Sequence, residues 1–167
     1  MRAARSRLFP ALAVLCLAAV SGGCSPAVSE APGKVAQARA THPESGLAVV
    51  PLAVTSAGKA HNFRVELART GFEQSKGLMF RTAMGEDEGM LFPLNPPRMA
   101  SFWMKNTVIP LDIIYIGRDR RILNIAANTV PYSEELVYSE GEAVAVLELN
   151  GGRAAELGIG PGDKVTW

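Results

Sequence analysis

Residues 100–116 read ASFWMKNTVIPLDIIYI, and their periodicity points to a β-rich fold. From Ala100 to Lys105 the apolar Phe102 and Met104 alternate with Ser101, Trp103 and Lys105, the two-residue period of a half-buried strand. Asn106 to Pro110 is short enough to return the chain as a turn. Leu111 to Ile116 then forms a second strand, in which Asp112 shares a face with Ile114 and Ile116.

Outward from this centre, the chain alternates short strands with turn signals. Leu47 to Thr55 is apolar with Pro51 inside it, which predicts an edge strand or one broken in two. Ser56, Ala57 and Gly58 read as a turn. Phe63, Val65 and Leu67 then alternate with Arg64 and Glu66 as another half-buried strand. Thr70 with Glu73 has the form of a capping box, opening a helix to about Leu78 whose buried side would be Phe72, Leu78 and Met79. Gly85 to Glu88 is an acidic turn, and the strand Gly89 to Phe92 is stopped by Asn95-Pro96-Pro97.

Toward the C-terminus, Arg121 to Ala126 is a strand and Tyr132 to Gly141 a polar loop. Ala143 to Leu149 is an apolar strand interrupted by Glu148. Arg153 to Leu157 is a short helix ended by Gly158. A turn at Gly160 to Asp163 leads to a last strand, Lys164 to Trp167. Seven or eight short strands with two short helices define a β-rich α+β class, a compact curled sheet or partly open barrel forming one globular domain over residues 47–167. About 120 residues suffice for one real core.

The chain has 167 residues, 48% hydrophobic and 20% charged, which excludes a disordered chain. Arg2, Arg5 and Arg7 are the only charges in residues 1–23, so 14 basic residues face 16 acidic ones afterwards, a formal balance of −2. A slightly acidic domain lacks the electrostatic footprint of a nucleic-acid binder.

Those arginines, the uncharged run Leu8 to Val20 and the small residues Ser21, Gly22 and Gly23 have the grammar of a signal peptide over residues 1–23. The run is too short for a membrane span. Ser21-Gly22-Gly23-Cys24 resembles the bacterial lipoprotein signal, with Ser21 where leucine is usual. It implies a lipidated Cys24 followed by a flexible linker to residue 46, which contains Pro26, Pro32 and Pro43 and has a reach of roughly 25 Å. A plain signal peptide that leaves a soluble periplasmic protein is the alternative. Either way the protein is expected to be exported, as a periplasmic or membrane-anchored component of the bacterial envelope. Cys16 and Cys24 are the only cysteines, so the folded domain has no disulfide, thiolate nucleophile or cysteine-ligated metal.

Arg69-Thr70, Gly77-Leu78-Met79-Phe80-Arg81, Gly89-Met90-Leu91-Phe92, Phe102 to Thr107, Ile109 to Ile113, Gly158-Ile159 and Gly162-Asp163 occur in order. They resemble the successive blocks of the domain of unknown function 192 family, also called uncharacterised protein family 0127. The resemblance spans about Phe63 to Val165. It implies no established activity, cofactor or catalytic residue.

The candidate ligand-binding residues are therefore argued from side chains: Arg81, Glu88, Trp103, Lys105, Asn106, Thr107 and Asp112. Asp112, if its face is buried, needs a cation or several donors, and Lys105, Arg81 or the backbone after Asn106 could supply them. This set reads either as a polar pocket beside Trp103 or as a buried network that fixes a strand connection. Met79, Met90, Met99 and Met104 invite a Cu(I) reading but are simpler as core fillers. His42 and His61 belong to no metal cluster or triad, and Gly151-Gly152 lacks the lysine of a phosphate loop.

No metal or cofactor is expected. The preferred expectation is a non-catalytic envelope module that binds a small polar ligand, a glycan or a partner protein, tethered to the membrane through Cys24. The alternative is a hydrolase or lyase using a Glu88/Asp112 carboxylate pair with Lys105 or Arg81.

Overall fold

A computed structural model describes residues 40–167; the signal segment, Cys24 and the linker as far as residue 39 lie outside the described residues. The fold starts from a tight hairpin. Ala57 and Gly58 both take positive φ, 47° and 80°, the combination whose twist matches paired strands. They join β1 (Val49–Ser56) to β2 (Lys59–Leu67) in full antiparallel register from Val49 opposite Glu66 to Ser56 opposite Lys59. Pro51 does not break β1. It lies in the half of the strand that has no second neighbour, where a missing N–H costs no ladder bond.

The predicted capping box is present. The Thr70 hydroxyl accepts from the Glu73 N–H and the Glu73 carboxylate accepts from the Thr70 and Arg69 N–H groups, which opens α1 (Gly71–Lys76). These bonds hold the Glu73 carboxyl below its ordinary range. The helix buries none of its own residues. Phe72, expected on its inner side, is 81% exposed, and Leu78 reaches the core only from the turn that follows.

The remaining elements are β3 (Glu88–Arg98), β4 (Ser101–Phe102), β5 (Leu111–Gly117), β6 (Ile122–Ala126), β7 (Val137–Tyr138), β8 (Ala143–Asn150), α2 (Arg153–Leu157) and β9 (Lys164–Thr166). Seven strands form one sheet in the order β6-β5-β8-β3-β2-β1-β9, while β4 and β7 pair separately. Only β2 and β3 run parallel, with α1 in their crossover. The sheet curls until β9 meets the β5–β6 turn: Val165 donates to the Arg120 carbonyl at 2.8 Å and Ile122 to that of Asp163 at 2.9 Å. The class read from the sequence is the one observed, with nine strands among the described residues.

Three segments depart from their sequence reading. Asn95-Pro96-Pro97 does not stop β3, which continues to Arg98 through a register shift against β8. The alternation at 100–105 yields only the two-residue β4, because Asn106 turns left-handed and Met104 donates instead to the Ser133 carbonyl at 2.8 Å. Residues 41–46, within the expected linker, form a turn that bridges Thr41 to Ala48 beside β1.

Two apolar clusters divide the core. Val54, Phe63, Val65, Ile114, Leu147 and Val165 fill the inside of the curl, with Ala154 of α2 and Ile159 packed among them. Met90, Phe92, Met104, Ile113, Tyr115 and Val146 form the second cluster on the opposite face. Among the described residues no helix is long and apolar enough to cross a membrane.

Candidate functional site

The seven residues singled out by sequence occupy three places. Asp112 is wholly buried, 0% exposed, at the start of β5. Its Oδ1 accepts the N–H groups of Asn128 at 2.7 Å and Gly152 at 2.9 Å, and its Oδ2 accepts that of Ala154 at 2.8 Å. The N-cap of α2 is Gly152, which has no side chain to cap with, so Asp112 caps the helix from across the fold. Its donors are therefore not Lys105, Arg81 or the backbone after Asn106. The turn carrying Lys105 packs instead with the loop after α1, where Phe80 donates to the Asn106 carbonyl at 2.8 Å.

Arg81, also buried, forms a two-pronged pair with Glu66 at 2.9 and 3.2 Å. Its Nε lies 3.0 Å from Glu44, and His42 lies 3.6 Å from Glu66. Glu66 was expected on the polar side of β2, yet this cluster buries it and fastens the 41–46 turn to the domain. Glu88 is exposed, and its carboxylate accepts the Gly85 N–H at 2.9 Å. Glu88 and Asp112 thus share no open cleft, because every contact of Asp112 is internal. Arg81 is likewise committed. The geometry required of an acid and base pair is missing from these residues.

Trp103, Lys105 and Thr107 do come together. They line a pocket of about 360 Å³ with Gln74 and Met79 from the α1 side. Its apolar wall is Phe92 and Leu94 of β3 with Phe102 of β4, and the rings of Phe92 and Phe102 meet edge to face at 5.1 Å. Gly77 suits the positive φ at which the chain leaves the helix. It ends α1 at φ 47°, and a Cβ there would make an ordinary van der Waals contact with the Phe92 ring at 3.5 Å. Lys105 sits over the Trp103 ring at 5.1 Å. Asn106 stands behind the pocket, its amide 3.9 Å from the Met79 sulfur.

The pocket also contains a residue that was not among the candidates. Glu148 of β8 lines it, only 5% exposed. It stands in a row across the sheet, Glu66–Met90–Glu148–Ile113, so two carboxylates flank Met90, with strand centres about 10 Å apart. Glu66 has the Arg81 guanidinium. The Glu148 carboxylate has no hydrogen-bond or ion-pair partner among the described residues, and burial pushes it up to about 8. Burial, and after it the nearby Glu148 charge, raises the Tyr115 phenol, which donates to the Val137 carbonyl at 2.8 Å. The signal was present as the single acidic interruption of an apolar strand. Periodicity does not say whether such a residue finds a partner.

Met90 and Met104 are core residues, Met79 lines the pocket and Met99 is exposed. Among the described residues no three His, Cys, Asp or Glu side chains are grouped to hold a metal ion.

A family model described as DUF192, Uncharacterized ACR, matches residues 52–167. No curated protein matches. The fold is similar to the crystal structure of a protein of unknown function from Novosphingobium aromaticivorans DSM 12444, at 63% sequence identity and a TM-score of 0.76, covering 79% of this chain and 94% of that one. It is also similar to a protein from Sinorhizobium meliloti 1021 described as a candidate transcription regulator, at 40% identity and a TM-score of 0.70, covering 72% of this chain and 94% of that one.

Proposed function

The chain belongs to the DUF192 family, and from that premise we propose that it is a binding module of the bacterial envelope whose pocket between α1, β3 and β8 takes a small polar ligand. One observation carries the reading: Glu148 is a buried carboxyl with no partner, and it faces the pocket. The fold satisfies Asp112 three times over and pairs Glu66 with Arg81, whereas the Glu148 carboxyl opens only to the pocket and the water in it. A pocket of about 360 Å³ with an apolar wall and a few polar groups is a small-ligand site in kind.

Mapping fragment binding by amide chemical shifts tests this. Perturbations are expected to converge on Gln74, Ser101, Trp103 and Thr107 and to weaken in Glu148→Gln; binding confined to other surfaces would refute the reading. The basic, uncharged and small-residue segments before Cys24 support export and a lipid tether. An acylated Cys24 is expected by mass spectrometry at the mature amino terminus, and an unmodified terminus would exclude the tether.

A further inference from the structure

The pocket has two chemically distinct ends. At its base, Glu148 lies beside Phe92 in apolar surroundings, with no donor of its own. Lys76 from α1, Arg98 from the end of β3 and Lys105 from the turn after β4 also line it. Lys76 and Arg98 have no ion-pair partner among the described residues, and Lys105 has a 3.6 Å contact with the exposed Glu134 besides its place over the Trp103 ring. A purely anionic ligand would suit the three cations and leave Glu148 unmet. A simple amine would do the reverse. An apolar ligand would engage none of the four and leave the exposed cations to water.

We infer that the pocket takes a small zwitterion, its ammonium group against Glu148 and its anionic group among Lys76, Arg98 and Lys105. This rests on the pocket being the binding site. Aromatic rings next to the carboxyl suit an ammonium, which the ring faces attract. Glu148 alone carries a proton near neutrality, because its burial favours the neutral form. The charged and titratable groups around it are Tyr115 on β5, the Glu66–Arg81 pair beyond Met90, and the three cations. When the ammonium arrives, the Glu148 O–H gives its proton to the buffer and the carboxylate pairs with the ligand. Binding therefore releases a proton near neutral pH.

Calorimetry on the purified protein tests this with γ-aminobutyrate, δ-aminovalerate and ε-aminocaproate as probes, and caproate and hexylamine as singly charged controls. At least one amino acid of the series is expected to bind tenfold or more tighter than either control, with a heat that varies with the ionisation enthalpy of the buffer. Glu148→Gln should abolish both the preference over caproate and the proton release. Arg98→Gln, a change on an exposed side chain that leaves the core intact, should weaken the preference over hexylamine, and Arg98→Gln with Lys76→Gln and Lys105→Gln should abolish it. Equal binding of a control at the same residues would overturn the zwitterion and leave the pocket standing. Failure of all five compounds while fragments still map to the pocket would also overturn it. Failure of the fragments as well would remove the pocket reading itself.

Discussion

Asp112 and Glu148 are both acidic residues embedded in apolar strands of one sheet, and β5 and β8, which carry them, are neighbours. Their surroundings are opposite. Three backbone N–H groups converge on Asp112 from a loop and a helix end, while Glu148 meets aromatic and aliphatic side chains on the other face of the sheet. A buried carboxylate that is fully bonded organises structure, since removing it strands its donors. One that is not bonded costs stability in the free protein.

The widest separation between the two should come from Asp112→Ala. It leaves three N–H groups without their acceptor, that of Ala154 in fully buried surroundings, and uncaps α2, a loss of about 5 kcal/mol. Chemical denaturation of the variant measures it, and a midpoint near that of the unaltered protein would dissolve the distinction.

Glu148→Gln should move the other way, with a smaller effect that depends on pH. The folded-state value of about 8 lies above the ordinary 4.5, so between those values the native protein holds a proton that the unfolded chain has released. The contribution of this group is fully present below pH 4.5, falls as pH rises, and is gone above about 8. Its span is on the order of 4 kcal/mol, trimmed by water that reaches the carboxyl through the pocket. Melting curves across this range should show the unaltered protein losing ground to Glu148→Gln as pH rises. Parallel curves would mean that Glu148 has a partner after all.

Local signals in the sequence were legible wherever the cause is local. The Thr70/Glu73 box, the Ser56-Ala57-Gly58 turn and the Arg153–Leu157 helix each depend on a handful of adjacent residues, and each formed. Phe72 was misplaced because a six-residue helix docks by its ends and by the turn beyond it, not by a long stripe. Trp103 and Lys105 stand at the site through pairing with β7 and the 133 loop, contacts remote in sequence. Arg81 was noticed for its charge, but Glu66, its partner, was read as solvated because strand alternation does not reveal what covers the second face.

Composition, period and turn chemistry alone determined that this chain makes a β-rich α+β domain with a cysteine-free core, because hydrophobic spacing and backbone preferences act within a few residues. Only the tertiary structure decided which acidic residue is satisfied and which faces a pocket. That depends on donors brought from 16 to 42 positions away in the chain to Asp112, and on no donor being brought to Glu148.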